Sequence, residues 1–236
     1  MRHPAMLPTV ALVDPELTLS MPPDITASTG LDAFTQLLEA FVSKKANPLT
    51  DAICRAGLKK MTGSLYQAYI HGDDLKARTD VAFASLCGGL ALANAGLGAV
   101  HGFAGPVGGM IDAPHGILCA SLLPAAARTN YSALISREPR NPALANFEEA
   151  ARLVLQDQNG TVDEALERLD SFCTQMFVPG LIDFGITRAD FPAIIEKAKN
   201  SSSMKGNPVD LTDDELNLIL EESLTPPIDG EATLYM

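Results

Sequence analysis

The residues of this chain with the chemistry to bind a metal ion are few. The chain has four histidines, and two of them, His101 and His115, flank a glycine-rich segment at residues 102–109. Glycines allow a sharp bend and a close backbone approach, so this segment could bring both imidazoles to one ion. The spacing matches no standard set of metal ligands. The residues alone therefore leave open the alternative of a buried histidine that is hydrogen-bonded to a carbonyl oxygen.

Asp32 and Gln36 form the second candidate pair. They lie four residues apart at the start of a predicted helix over residues 32–43, so their side chains project from one face. An acidic residue in a first helical turn also complements the helix dipole, which gives Asp32 a purely structural alternative. The other two histidines have ordinary explanations, because His3 lies near the terminus and His71 lies at the end of a predicted helix.

The composition limits the classes of partner. The chain has 236 residues, of which 47% are hydrophobic and 19% are charged, so it is long enough to form a globular domain with a hydrophobic core. With a net charge of -12 and only 17 basic residues, it is a poor candidate for binding nucleic acid or an anionic membrane. We therefore expect a small-molecule substrate or a protein partner.

The cysteines and the N-terminal residues indicate a cytoplasmic location. The four cysteines are far apart and form no CxxC pair, a pattern that favours buried free thiols in a reducing compartment. The first 20 residues contain prolines and acidic residues in place of the apolar run of a signal peptide. Residues 81–100 carry no charge, but they are rich in alanine and glycine, so we interpret them as a buried helix and not as a membrane span.

Most of the remaining sequence predicts helices. Residues 32–43 place apolar side chains at the spacing of three and four that forms one helical face. N-cap residues, capping boxes and first-turn prolines indicate where further helices begin. These signals occur at Asn47-Pro48, Asp73 or Asp74, Thr161 with Glu164, Pro192, and Thr212 with Glu215. Because strand signals are sparse, we predict an all-α fold with eight or nine helices.

Three further segments are predicted outside the helices. Residues 7–23 contain several prolines and one short apolar run, which indicates extended chain or a short strand followed by a turn. The polar sequence of residues 200–208 predicts a loop. Residues 225–236 contain two prolines and a glycine, and we expect them to form a loose tail.

Several blocks of this sequence resemble the helical domain of the iron-dependent (group III) alcohol dehydrogenases. The blocks VDPELTLSMPPD at residues 13–24 and TASTGLDA at 26–33 are similar to the start of that domain. A second region resembles the metal-site signature of the family. It consists of NAGLGAVHG at residues 94–102, GG at 108–109, PHG at 114–116 and LLP at 122–124. MKGNP at 204–208 is similar to the end of the domain. The resemblance runs from about residue 10 to residue 224, in order.

This resemblance implies a fold, a set of cofactors and a set of ligands. The implied fold is an all-α multihelical domain like the C-terminal half of the dehydroquinate synthase-like and iron-containing alcohol dehydrogenases. It would occupy residues 24–224, with residues 1–23 as a former interdomain linker. The family binds a divalent metal, usually iron and sometimes zinc, through one aspartate and three histidines. The metal polarises the alcohol or carbonyl oxygen, and NAD(P) transfers the hydride.

This chain departs from the family pattern in three ways. Asp32, His101 and His115 match ligand positions, but the second ligand position holds Gln36, whose amide oxygen is a weaker ligand than imidazole. Gly105 replaces a histidine that many members carry near the nicotinamide. The sequence also contains no GxGxxG motif opening a helix and no Gly-Gly-Gly-Ser loop. We therefore expect that these 236 residues do not include the nucleotide-binding half of the family.

These observations leave three functional hypotheses. The chain could be part of an oxidoreductase for small alcohols or aldehydes that acts only when a separate chain supplies the nucleotide-binding domain. It could instead be a degenerate, non-catalytic metal-binding or interaction domain, or a truncated gene product. In each case we expect no alcohol dehydrogenase turnover from the isolated chain. For a surviving metal site the expected ligands are Asp32, Gln36, His101 and His115.

Overall fold

The computed structural model describes residues 8–226, and within this range the chain forms nine α-helices. They are α1 (Pro23–Val42), α2 (Pro48–Ile70), α3 (Leu75–Ala95), α4 (Ala99–Gly108), α5 (His115–Arg137), α6 (Ala143–Leu155), α7 (Val162–Gln175), α8 (Phe191–Lys199) and α9 (Asp213–Glu222). Short 3-10 helices lie at Pro15–Thr18, Leu181–Phe184, Arg188–Asp190 and Met204–Gly206. Residues 8–226 contain no strand, so the prediction of an all-α fold is confirmed.

Helix α1 lies at the centre of the domain. It packs against α2, α3, α5 and α6, and Leu37, Ala40 and Phe41 have no exposed surface. Complete burial of a leucine or phenylalanine side chain stabilises a fold by about 1.5–3 kcal/mol. Contacts on several sides therefore fix the position of α1, and with it the position of any functional residue that α1 carries.

The start of α1 differs from the prediction. The helix begins at Pro23 and not at residue 32. Proline is favoured in the first turn of a helix, and the polar residues that follow Pro23 continue the helix. The hydroxyl of Thr26 donates to the carbonyl of Pro22 at 3.0 Å. Gly30 permits close packing, since a Cβ there would lie 2.2 Å from Leu65 Cδ1. Asp32 is thus in the middle of α1, and the explanation of it as a first-turn acid is wrong.

The uncharged segment at residues 81–100 is not one buried helix. Helix α3 ends at Ala95, Gly96 adopts a positive φ of 74°, and α4 continues at an angle of 98°. Phe83, Leu86 and Leu90 are between 41% and 47% exposed, so one face of α3 is open. Alanine and glycine gave the segment a uniform composition, which hid both the break and the exposed face.

The predicted helix starts at the other caps are confirmed. Asn47 accepts hydrogen bonds from two backbone N–H groups of α2, and Pro48 occupies the first turn. Asp74, and not Asp73, caps α3. Thr161 and Thr212 both form the expected capping boxes. These local signals were reliable because the hydrogen bonds join residues only two or three positions apart.

The N-terminal segment contains no strand within its described part. A 3-10 helix covers Pro15–Thr18, and the side chain of Asp14 caps it. Of the two predicted alternatives, the short strand is wrong over residues 8–23, because the described residues offer no extended segment to pair with it. The other alternative agrees with the structure, since residues 8–14 form no regular secondary structure and residues 19–20 form a turn. Residues 1–7, and residues 227–236 of the predicted loose tail, lie outside the described residues.

Candidate metal centre

Four side chains with metal-binding atoms converge where α1, α4 and α5 meet. Asp32 comes from α1, His101 from α4, and His115 and Cys119 from α5. One potential ligand atom from each residue lies within 4.8 Å of those of the other three. The structure thus brings together three of the predicted ligands and adds a cysteine. These four residues are called the metal cluster below.

The glycine-rich segment after His101 is helical and does not form the expected bend. Helix α4 covers Ala99–Gly108, and the chain turns only after Gly109. Gly102 permits close packing, since a Cβ there would lie 2.9 Å from Met204 Cε. The two histidines converge because α4 and α5 pack against each other, and their ring centroids are 5.5 Å apart.

The N-terminus of α4 is capped by a distant carboxylate. Gly98 provides no side chain for this purpose, and Glu39 on α1 accepts a hydrogen bond from the backbone N–H of Val100 at 2.7 Å. The amide side chain of Asn207 accepts from Ala99 N at 3.0 Å. A Cβ at position 98 would lie 2.9 Å from Glu39 Oε1. A glycine at position 98 is what lets these two side chains reach the helix end.

Glu39 also fixes the orientation of the His101 ring. Its Oε2 atom lies 2.7 Å from Nδ1 of His101, and both side chains are about 93% buried, with 7% exposure each. This contact leaves the other ring nitrogen, Nε2, facing the metal cluster, where it lies 3.2 Å from Oδ1 of Asp32. A metal-binding histidine commonly donates its second N–H to a carboxylate in this way.

Gln36 orients the carboxylate of Asp32. The amide nitrogen of Gln36 donates a hydrogen bond to Oδ2 of Asp32 at 3.0 Å. The other carboxylate oxygen, Oδ1, lies 3.2 Å from Nε2 of His101 and 3.9 Å from Nε2 of His115. In this arrangement Gln36 acts as a hydrogen-bond donor to a cluster residue, and its assignment as a weak metal ligand stays a prediction.

His115 and Cys119 lie one helical turn apart at the start of α5. Residues four apart share a face of a helix, and the Cys119 Sγ atom is 3.6 Å from His115 Nε2. Cys119 is completely buried, whereas the His115 side chain is 54% exposed. Helix α5 approaches α1 closely at Gly116, where a Cβ would lie only 2.1 Å from the carbonyl oxygen of Ser28.

Burial and mutual contacts shift the pKa values in the metal cluster. Burial lowers the pKa of His101, but hydrogen bonds with Asp32, Cys119 and Glu39 outweigh burial and raise that pKa to about 12. Burial raises the pKa of Asp32, but hydrogen bonding with His101 and the charges of both histidines bring it below its usual 3.8. Burial raises the pKa of the Cys119 thiol to about 11. The cluster is therefore a strongly interacting set of groups.

Sequence reasoning missed two residues of this site. The cysteine pattern indicates only that Cys119 is a buried thiol, although its position four residues after His115 places both on one helical face. Glu39 follows Asp32 by seven residues, which is two helical turns, so it too shares a face with Asp32. Both signals are present in the sequence, but the same spacings are common in helices that bind no metal.

Gly105 is an open position on the helix that carries His101. It lies in α4 one turn after His101 and is exposed. A Cβ built there would meet no atom within 4 Å. This position therefore offers no side chain that could exchange protons.

The residues of the metal cluster fit a divalent cation. Imidazole, carboxylate and thiolate are the groups that bind Zn²⁺ in proteins, and imidazole and carboxylate also bind Fe²⁺. The donor atoms are already clustered, and Glu39 provides the outer hydrogen bond that orients His101. Suitable ligand types, clustered donor atoms and an orienting carboxylate are three of the features that a protein metal site needs.

Comparison with known proteins gives consistent matches. Residues 26–224 match the family described as Fe-containing alcohol dehydrogenase, C-terminal. The chain is 40% identical over 205 residues to 1,3-propanediol dehydrogenase of Citrobacter freundii, covering 86% of this chain and 51% of that protein. It is 34% identical over 219 residues to alcohol dehydrogenase 4 of Schizosaccharomyces pombe, covering 92% and 50% of the two chains.

A solved structure supports the same relationship. The crystal structure of a 1,3-propanediol oxidoreductase superposes with a TM-score of 0.84 at 35% sequence identity, over 92% of this chain and 56% of that one. The fold and the clustered side chains define an all-α domain with a candidate metal site. The chain belongs to the Fe-containing alcohol dehydrogenase family and corresponds to the C-terminal domain of that family. It spans about half the length of the relatives named above.

Membership of this family implies a divalent metal and NAD(P) as cofactors.

Among the residues that the structure describes, no single helix is long and apolar enough to cross a membrane. Helices α3 and α4 meet that criterion only when taken together as a pair bent by 98°, and then by length and composition alone.

Proposed function

We propose that this chain is the metal-binding half of an NAD(P)-linked oxidoreductase for small alcohols or aldehydes. The observation that carries the proposal is the contact between Glu39 and His101. The carboxylate holds Nδ1 at 2.7 Å and leaves Nε2 directed at Asp32 and the rest of the metal cluster. An orienting carboxylate behind a histidine is the usual outer contact of a protein metal site.

The residues of this chain would hold the metal and present one open side to a substrate. Asp32, His101 and His115 would be ligands, and a divalent metal held there supplies Lewis-acid polarisation of an alcohol or carbonyl oxygen. His101 is buried and Asp32 is 22% exposed, whereas His115 is 54% exposed. The exposed side, at His115, is where a small substrate would approach.

The nucleotide would be bound by a domain outside these 236 residues, for example on a separate chain. The described part of this chain consists of helices and their connecting segments and contains no parallel sheet on which NAD(P) could lie. Without that domain, one side of the cluster faces solvent, which weakens electrostatic stabilisation of the reacting oxygen. We expect no alcohol-dependent reduction of NAD or NADP by the pure chain. Detectable turnover would contradict this part of the proposal.

Metal content tests the site directly. The purified protein is incubated with Fe²⁺ under anaerobic conditions and, separately, with Zn²⁺, and the bound metal is then quantified. We expect near-stoichiometric metal in the natural protein and little in His115→Ala. His71→Ala is the matched control, because His71 is exposed at the end of α2, outside the metal cluster. Equal metal retention in His115→Ala and the control would contradict the ligand assignment.

A non-catalytic metal-binding or interaction domain is the second candidate function. It is favoured by the orientation of Gln36, whose amide nitrogen faces Asp32 where the resembling enzymes carry a ligand, and by the open position at Gly105. The Gln36→His variant distinguishes the two functions. An empty natural protein that fills only when Gln36 becomes histidine would favour the non-catalytic function.

We also infer a cytoplasmic location for this protein. All four cysteines are free and buried, as expected in a reducing compartment. The strongly acidic composition supports a small-molecule or protein partner and disfavours nucleic acid.

The domain limits of 24–224 stay a prediction, supported by the start of α1 at Pro23.

A further inference from the structure

Cys119 is the one cluster residue that neither the sequence motifs nor the resemblance assigned. Its Sγ atom lies 3.6 Å from Nε2 of His115 and within 4.8 Å of the potential ligand atoms of Asp32 and His101. The remaining cysteines, Cys54, Cys87 and Cys173, are absent from this cluster. The position of Cys119 therefore requires a chemical explanation of its own.

We propose that Cys119 is a metal ligand and completes an Asp-His-His-Cys site that prefers Zn²⁺ to Fe²⁺. This inference rests on the proposed metal site and specifies its fourth ligand and its metal. Cys119 would supply the donor that the chain lacks at Gln36, whose amide nitrogen is engaged with Asp32. A thiolate is a softer ligand than an amide oxygen and favours Zn²⁺.

Two of the six distances between donor atoms match those around a tetrahedral ion, and a third is slightly longer. Ligands about 2.0–2.3 Å from Zn²⁺ lie about 3.3–3.6 Å from one another in a tetrahedron. The observed distances are 3.2 Å from His101 Nε2 to Asp32 Oδ1 and 3.6 Å from Cys119 Sγ to His115 Nε2. The distance from His115 Nε2 to Asp32 Oδ1 is 3.9 Å, so only a small closure is needed there.

Charge balance also favours thiolate ligation. When a metal–sulfur bond forms, the Cys119 thiol loses its proton to solvent, and the sulfur becomes a thiolate ligand. A divalent ion, one carboxylate, one thiolate and two neutral histidines together form a complex with no net charge, which reduces the cost of burial. A neutral complex is favoured at this site, because Cys119 is fully buried and the His101 side chain is only 7% exposed.

Cobalt substitution tests the proposal on the full chain. Co²⁺ occupies zinc sites, and a bound thiolate gives a charge-transfer absorption in the near ultraviolet, apart from the visible d–d bands. We expect both signals in the natural protein. Cys119→Ser should keep the d–d bands, lose the charge-transfer band and bind Zn²⁺ at least about 10-fold more weakly. Cys87→Ser is the matched control, since Cys87 is buried but lies outside the metal cluster.

The outcomes separate this inference from the proposed function. If the natural protein binds Co²⁺ with d–d bands and no thiolate band, the metal site stands and Cys119 is not a ligand. If the natural protein binds neither Co²⁺ nor Zn²⁺, the proposed function and this inference both fail. Far-ultraviolet circular dichroism monitors the folding of both variants. Even if Cys119→Ser does not fold, the spectrum of the natural protein shows whether a thiolate binds the metal. Loss of the thiolate band in Cys87→Ser instead would also overturn the assignment.

Discussion

Glu39 and His101 are 62 residues apart in the chain, yet Oε2 of Glu39 lies 2.7 Å from Nδ1 of His101. The same carboxylate caps the helix that carries His101, because its other oxygen accepts a hydrogen bond from the N–H of Val100. One buried acidic side chain thus anchors both the helix and the ring. The candidate metal centre and the position of α4 relative to α1 are consequently linked through Glu39.

Replacement of Glu39 by glutamine should weaken both contacts of this residue, the one with the His101 ring and the one with the N-terminus of α4. An amide has one acceptor oxygen where the carboxylate has two, so either the His101 ring or the α4 N-terminus loses its acceptor. We expect Glu39→Gln to reduce Zn²⁺ affinity by about 10–100-fold. The apo protein should also lose about 1–3 kcal/mol of unfolding free energy. Competition with a chelator measures the affinity, and chemical denaturation measures the stability.

Glu167→Gln is the control for this prediction, because Glu167 is exposed on α7 and the substitution makes the same chemical change. We expect both quantities to be unchanged in the control. Natural Zn²⁺ affinity in Glu39→Gln would show that the carboxylate does not orient His101 for a metal.

The close approach of α5 to α1 should make Gly116 intolerant of a side chain. A Cβ at this position would lie 2.1 Å from the backbone carbonyl oxygen of Ser28, so one of the two helices must move. We expect Gly116→Ala to cost about 1–3 kcal/mol of stability. Metal affinity should fall as well, because His115 on α5 moves away from Asp32 on α1. Thermal unfolding with and without Zn²⁺ measures both effects.

Gly89→Ala provides the matched control. Gly89 lies within α3 and is exposed, and a Cβ there would meet no atom within 4 Å. The substitution should stabilise the protein by about 0.5–1 kcal/mol, because alanine favours a helix more than glycine does. Equal effects of the two substitutions would mean that the approach of α5 to α1 is looser than described.

Arg78 ties the N-terminal segment to the helical domain. Its guanidinium donates hydrogen bonds to the carbonyls of Gly72 at 2.8 Å and Met21 at 2.9 Å, and to the hydroxyl of Thr26 at 2.8 Å. Lysine keeps the charge but cannot reproduce this planar set of donors. We therefore expect Arg78→Lys to lower the unfolding free energy by about 2–4 kcal/mol, as measured by urea denaturation.

Lys59→Met is the control for Arg78→Lys, because Lys59 is exposed on α2. The control should change stability by less than about 0.5 kcal/mol. A similarly small effect of Arg78→Lys would contradict the claim that these three hydrogen bonds fix residues 21–26.

The ion pair between Asp80 and Lys60 should make stability depend on acid pH. Burial raises the pKa of Asp80, but hydrogen bonds with Lys60 and Ser64 and the charges of nearby lysines lower it below its ordinary 3.8. A carboxyl group whose pKa is lower in the folded state stabilises the fold above its unfolded pKa. That stabilisation is lost as the pH falls through the folded pKa. We expect Asp80→Asn to cost about 0.5–1 kcal/mol at pH 7.

The difference between Asp80→Asn and the natural protein should therefore shrink as the pH drops below about 4. Urea denaturation at a series of pH values measures it, with Asp163→Asn, an exposed residue in the first turn of α7, as the comparison. A stability difference for Asp80→Asn that is constant from neutral to acid pH would mean that the charge of Asp80 contributes nothing.

Local sequence signals predicted most helix starts but misplaced the start of α1. The caps at Asn47, Asp74, Thr161 and Thr212 are formed by hydrogen bonds between residues close in the chain, so they could be identified directly. The early start of α1 could not, because its polar residues and Gly30 are tolerated through contacts with other parts of the fold. The most specific of these is the packing of Gly30 against Leu65, which overrides the weak helix propensity of this segment.

The sequence by itself determined the all-α fold, the resemblance to the Fe-containing alcohol dehydrogenases, and the candidate roles of Asp32, His101 and His115. Only the tertiary structure decided that Cys119 joins these residues and that Glu39 orients His101. Helix periodicity specifies which residues share a face, but not which faces meet. The packing of α5 against α1 and α4 sets those contacts, and the distances between donor atoms, on which metal binding depends, follow from that packing.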